Sequence, residues 1–206
     1  SAASDVYKRQ VVTHLGKRFN DLVTVGTKYD ATNWLKDNIS EINHHIVEYA
    51  SNNPESKGMG TTVVVALLTN DFLLYANVGD SSGFAMKNGH LLKVTKDHTL
   101  VQLLVQAGDL TEEEAKYHPK KNVLMKALGG EEDVVPDIYE VDMSFDAILL
   151  SSDGLTNMLS NEAIEKVLND PELSIEDKVV KLIRKCNARG GTDNISVAYL
   201  VKESGE

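Results

Sequence analysis

The chain is 206 residues long, one large domain or two small ones, and its 42% hydrophobic and 25% charged residues exclude a disordered polymer. With Lys+Arg 21 against Asp+Glu 31, the net charge of −10 excludes nucleic acid or an anionic membrane as the main partner and makes cations natural ligands. No apolar run nears the roughly 18 to 20 residues of a membrane helix, and the single Cys186 excludes a disulfide framework or Cys-rich zinc site and favours a reducing, cytoplasmic setting.

Residues 1–10, SAASDVYKRQ, lack an initiator Met and core periodicity; they read as a non-native junction and are set aside, leaving 11–202 as the domain. From Asp30 to Ser51, Ala31, Leu35, Ile39, Ile42, Ile46, Val47 and Tyr49 recur at helical spacing, with Trp34 as a further core position. Asn38, Glu41 and His45 take the polar face, and adjacent His44 and His45 point to different faces as surface residues. The β-branched and aromatic runs 61–68 and 72–78 predict a hairpin through Thr69-Asn70-Asp71. A second hairpin pairs 83–86 with 91–94 through Asn88-Gly89, a strong two-residue turn signal.

Short helices follow at 99–107 and 111–116, the latter opened by a Thr111/Glu114 capping box. Strands at 137–141 and 147–151 precede helices at 161–169 and 175–188, and a strand at 195–201 ends the pattern. Cys186 falls inside the last helix as a core residue, not a nucleophile. Strands in hairpins and helices in separate blocks predict an α+β layered domain of antiparallel sheets with helices packed outside.

Asp80, Asp153 and Asp193 each sit at a strand end beside glycine. A strand tip holds a carboxylate rigidly while its oxygens face a cleft, as a hard divalent cation requires. Taken singly, each is more often a plain turn than a metal site. His98 beside Asp97 suggests a metal pair, and Asp97 is an equal candidate for capping the next helix. His118 before Pro119 marks a helix end.

Seven segments then occur in order: Gly58-Met59-Gly60-Thr61-Thr62, Val78-Gly79-Asp80-Ser81, Thr95-Lys96-Asp97-His98, His118-Pro119-Lys120-Lys121-Asn122-Val123-Leu124, Lys126-Ala127-Leu128-Gly129, Ser151-Ser152-Asp153-Gly154-Leu155-Thr156-Asn157 and Gly191-Thr192-Asp193-Asn194-Ile195. Together they resemble the bacterial branch of the metal-dependent (PPM-type) protein phosphatases, over nearly all of 11–201. The resemblance implies an αββα sandwich of two central antiparallel sheets flanked by helices. It implies hydrolysis of phosphoserine and phosphothreonine by a metal-activated water at two Mn2+ or Mg2+ ions, with a third weaker ion.

By the same resemblance Asp153 and Asp193 are metal ligands and Asp97 belongs to the third ion. Asn194, Gly154 and Asp80 support the site from behind. Residues 100–126 form a flap governing substrate access, carrying His118, Lys120 and Lys121. The family's Arg segment and its Asp-Gly-Met-Gly-Gly-His strand end, sources of the phosphate-binding arginine, bridging carboxylate and general acid, have no counterpart here. Val11–Phe19 resembles the helix that follows them. The chain is therefore expected to be an amino-terminal truncation without the first strands, impaired in catalysis. Ser82 stands where the family usually has arginine. The expected partners are phosphoproteins, in opposition to a serine/threonine kinase, with no nucleic acid or membrane partner and a monomeric, cytoplasmic state. The competing reading is a non-catalytic phosphatase-like binding module.

Overall fold

A computed structural model describes residues 2–202, with side chains from Lys8 onward. The chain divides into two compact units. The first takes the chain up to Val63 with Ala76–Asp80 and Asp97–Ile138; the second takes Val64–Tyr75, Ser81–Lys96 and the chain from Tyr139.

In the first unit, helix α1 spans Ala2–Asn20 and α2 spans Lys28–Asn52. Thus residues 2–10, set aside on sequence grounds, are helical; the stretch contains neither proline nor glycine to interrupt it. Val11 and Leu15, four residues apart, bury one stripe of α1. Arg18 bonds Asn38 at 2.8 Å and grips the Glu41 carboxylate at 2.5 and 2.6 Å. Further back, Gln10, Val11 and His14 share a cavity of about 40 Å³ with Ile42, His45 and Ile46, so the helices run antiparallel. Trp34 is a correction. It is half-buried and meets the edge of Phe19, centroids 5.9 Å apart, instead of entering the main core.

A capping box opens α2: Thr27 accepts from the Asp30 N–H while Asp30 accepts from the Thr27 N–H. Ala31, Leu35, Ile39, Ile42 and Ile46 bury most of the face that the spacing predicts, but Val47 is only half-buried and Tyr49 is exposed near the end of the helix. Asn43 is also fully buried. Its amide donates to the Glu131 and Glu132 carbonyls at 3.0 and 2.8 Å and accepts from Gly129 N–H at 2.7 Å, so its burial costs little. Two short helices follow, α3 Leu100–Ala107 and α4 Glu112–Tyr117, the second with the predicted Thr111/Glu114 box.

The strands are β1 Val63–Leu68, β2 Leu73–Val78, β3 Ser82–Lys87, β4 His90–Lys93, β5 Asp137–Val141, β6 Ala147–Ser151 and β7 Val197–Val201. They form two antiparallel sheets flanked by helices, ordered β1-β2-β5 and β4-β3-β6-β7. At the β3–β4 turn both Asn88 (φ 52°) and Gly89 (φ 79°) are left-handed, the geometry of a type I′ hairpin. Helices α5 Asp153–Thr156, α6 Asn161–Leu168 and α7 Ile175–Ala188 complete the second unit.

The strand period sorts this unit's core. Phe84, Met86, Ala147 and Leu149 face Leu155, Ile164, Val167, Leu182 and Cys186. Their neighbours Ala85 and Ile148 turn the other way, onto Leu73 and Tyr75, and the Tyr75 hydroxyl donates to the Phe84 carbonyl at 2.8 Å. Each such fully buried large side chain contributes about 1.5–3 kcal/mol. The middle of the β4-β3-β6-β7 sheet is thereby a rigid base for the loops at the end of β6. No helix among the described residues is long and apolar enough to cross a membrane.

Candidate metal centre

In the second unit, β6 ends at Ser151 and the chain turns at once into α5, whose first residue is Asp153. The Asp153 side chain accepts from the Asn157 amide at 3.1 Å, one turn on, which fixes its rotamer. Strand β7 pairs antiparallel to β6 with Ser151 opposite Val197. Ser152 continues this ladder by side chain. Its N–H donates to the Ser196 carbonyl at 3.0 Å; its hydroxyl accepts from Ser196 N–H and donates to the Asn194 carbonyl, both at 3.0 Å.

These bonds draw the loop carrying Asp193 onto the start of α5. Gly154 is buried directly against it: a β-carbon there would lie 2.5 Å from the Asn194 carbonyl oxygen, so only glycine permits the approach. Asp193 Oδ1 accepts from the following Asn194 N–H at 2.7 Å, which aligns that carboxylate along its own loop. Asp153 is half-buried and Asp193 exposed. Asp153, Gly154, Asp193 and Asn194, four of the predicted site residues, therefore occupy two loops zipped together at one end of the β6–β7 pair.

The other predicted acidic residues belong to the first unit. Gly79, at φ +107°, places its α-carbon where a β-carbon would be 2.2 Å from Thr62 Cγ2, so two of the ordered segments meet there. The Gly79 N–H donates to His98 Nδ1, and the His98 N–H donates to the Gly79 carbonyl, both at 3.0 Å. Asp80 and Asp97, both half-buried, thus stand on backbone segments tied directly to each other. Thr61 and Leu128 exchange both backbone bonds, adding the Gly58–Thr62 and Lys126–Gly129 segments to the same neighbourhood.

Two readings of this region are corrected. Asp97 does not cap the next helix; Thr99 does, accepting from Gln102 N–H at 3.3 Å. His98 is not presented to a metal, since Nδ1 is taken by Gly79 and Nε2 lies 3.2 Å from Asp137 Oδ2. Lys126 bonds the other Asp137 oxygen at 2.8 Å. Burial works to raise the Asp137 carboxyl, but the bond from Lys126 and the neighbouring His98 outweigh it and hold the group below the usual carboxylate range. His118 ends α4 as expected, its Nδ1 accepting from Lys120 N–H at 3.1 Å, and Lys120 and Lys121 are exposed. His44 and His45 lie on the surface of α2, beside Asp133 and Glu41.

The profile of the Protein phosphatase 2C family matches residues 3–195. The chain belongs to the protein phosphatase 2C family. It is 38% identical over 196 residues to the serine/threonine phosphatase stp of Listeria welshimeri, covering 95% of this chain and 77% of that protein. The crystal structure of the serine/threonine phosphatase Stp1 from Staphylococcus aureus superposes with a TM-score of 0.88 at 35% identity, covering 95% of this chain and 76% of that one. The catalytic domain of the serine threonine protein phosphatase PstP, solved in complex with 2 manganese ions, gives 0.80 at 31%, covering 94% and 79%. These relatives are serine/threonine protein phosphatases, which makes the chain an enzyme by resemblance and fits the two-sheet α+β fold described above.

For a 2C-family phosphatase the donor set is chemically apt but short. Asp153 and Asp193 offer hard oxygen donors on rigid, adjoining loops. Among the described residues, no group of three or more His, Cys, Asp or Glu side chains is placed to hold a metal ion. What sequence reading missed in this family member is the scaffolding: Ser152 as the clip between the loops, Asn43 as the anchor of 129–132, and His98 as a backbone partner instead of a ligand.

Proposed function

We propose that the chain hydrolyses phosphoserine and phosphothreonine in proteins through a metal-activated water, with Asp153 and Asp193 as metal ligands. The observation that carries this reading is the contact of Gly154 with the Asn194 carbonyl, which joins the two aspartate loops. Bound there, Mn2+ or Mg2+ supplies a water of lowered pKa and neutralises phosphate oxygens, so no protein nucleophile is needed. Cys186 agrees with that: it is buried in α7, and burial pushes its thiol up, away from the nucleophilic thiolate.

The remaining roles are those that the family resemblance implies. Asn157 and Asn194 N–H hold the two carboxylates in orientation, and Gly154 permits the approach. In this reading Asp97 serves a third, weaker ion and Asp80 supports it from the turn after β2. His118, Lys120 and Lys121 lie along the access route in residues 100–126, where the exposed lysines attract a dianionic phosphoester. Phosphoproteins made by a serine/threonine kinase are the substrates, met by a monomer in the cytoplasm. Two carboxylates, the donors this reading finds among the described residues, are fewer than a tight dication takes, so weak metal binding and little turnover are expected.

The same shortage of donors favours a second reading, a phosphatase-like module that binds phosphorylated partners without cleaving them. Calorimetric Mn2+ titration, paired with phosphate release from a phosphothreonine peptide, separates the two. The enzyme reading expects weak Mn2+ binding that Asp153→Ala and Asp193→Ala each abolish while far-UV CD is retained. Peptide binding that ignores Mn2+ and both substitutions selects the module.

A further inference from the structure

We propose that His98 is a positioning residue that locks the Gly79-Asp80 turn to residues 100–126 as a single piece. The inference rests on reading that segment as the access flap, but its geometry is independent of any metal. A backbone N–H can only donate, so the 3.0 Å contact from Gly79 N fixes Nδ1 as the acceptor and leaves the proton on Nε2. Nε2 lies 3.2 Å from Asp137 Oδ2, an ion-pair distance without the alignment of a hydrogen bond. The side chain is 12% exposed, so the bond from Gly79 is sheltered from water.

The main chain of His98 completes the lock. Its N–H donates to the Gly79 carbonyl at 3.0 Å, and its own carbonyl accepts from Met125 N–H at 2.8 Å. The next residue, Lys126, returns to the far oxygen of Asp137 at 2.8 Å. At the other end of the segment Leu100 N–H donates to the Val123 carbonyl at 2.9 Å. The end of the segment at Met125 and Lys126 therefore shares two anchors with the strand tip, one through His98 main chain and one through Asp137.

Imidazole suits this place for a specific reason. Its near nitrogen, Nδ1, carries the lone pair that accepts from the Gly79 N–H. Asparagine supplies an acceptor at the Nδ1 position; glutamine, one methylene longer, does not.

The test is amide hydrogen exchange on the 15N-labelled, metal-free 206-residue chain. In the parent, Gly79 and Met125 N–H are both protected, and a 15N–15N coupling across the hydrogen bond links Gly79 N to His98 Nδ1. His98→Ala is expected to speed exchange at both amides by about tenfold, the worth of one hydrogen bond, while Leu74 and Tyr75 in β2 keep their rates. His98→Asn restores protection at both; His98→Gln does not. Should His98→Ala loosen the whole fold, the contrast between His98→Asn and His98→Gln still decides. Unchanged Met125 protection in His98→Ala, or equal rescue by glutamine, overturns the proposal. Because no metal or substrate is used, failure of the phosphatase reading appears separately, in the Mn2+ titration of the Asp153 and Asp193 variants.

Discussion

Gly154 and Asn194 meet with no room for a β-carbon between them: the nearest atom to that position is the Asn194 carbonyl oxygen, 2.5 Å away. Because the obstacle is backbone, no side-chain rotation relieves it. Gly154→Ala must push the Asp193 loop off α5 or strain the turn after β6, an overpacking cost of about 1–3 kcal/mol. We expect a lower urea midpoint with an unchanged slope, together with weaker Mn2+ binding in calorimetry. A midpoint equal to the parent's contradicts the close approach.

Gly16 is the opposite case. It lies exposed inside α1 with nothing within 4 Å of the place a methyl group would take, so alanine meets no obstacle and only gains helix propensity. Gly16→Ala should raise stability by about 0.5–1 kcal/mol. Its urea midpoint, measured beside that of Gly154→Ala, separates packing from backbone entropy with the same chemical change.

The clasp between α1 and α2 titrates. The hydrogen bond from Arg18 holds Glu41 at about 2, against an ordinary 4.5. A carboxyl depressed in the folded state adds stability that is complete above its unfolded value and fades as pH falls towards its folded one. Glu41 is half exposed, so screening limits the gain to within about 1 kcal/mol. The parent should therefore melt higher than Glu41→Gln at pH 7, with the gap closing between about pH 4.5 and 2. A gap independent of pH, or insensitive to salt at pH 7, denies the clasp any electrostatic role.

Cys186 is fully buried and its thiol is pushed up by that burial. The native chain should resist iodoacetamide at pH 7.5 and become singly labelled once denatured, as read by intact mass. Fast labelling without denaturant means that α7 does not stay packed on the β4-β3-β6-β7 sheet.

Much of the fold is legible in the sequence because its signals are local. Strands 137–141 and 147–151 and helix 175–188 stand at their predicted bounds, each a run whose period or composition needs no distant partner. Residues 2–10 of α1 escape such a reading because an absence of periodicity says nothing about helix propensity. The Thr27/Asp30 box is visible as a Thr-x-x-acid pattern, yet a helix begun at Asp30 itself hides its own cap. Helix α5 has four residues, too few to display a period.

The site is legible in a different way. No periodicity brings Asp153 to Asp193; the ordered segments point to both, and the β6–β7 pairing supplies the reason that they share a place. Asn43 and His98 leave no such trace. Asn43 is satisfied by carbonyls 88 and 89 residues away and His98 by an amide 19 residues back, partners that only the folded chain presents. Spacing alone turns Trp34 inward, whereas its ring leans on Phe19 of a neighbouring helix.

Ser152 owes its clip to Ser196 and Asn194, which lie just before β7. During synthesis on a ribosome, the α5 turn leaves the exit tunnel some forty residues ahead of its partner. A nascent polypeptide therefore has one aspartate tip and no companion for it until residues 193–196 follow, and termination before residue 193 yields a protein that carries Asp153 but neither the Asp193 loop nor β7.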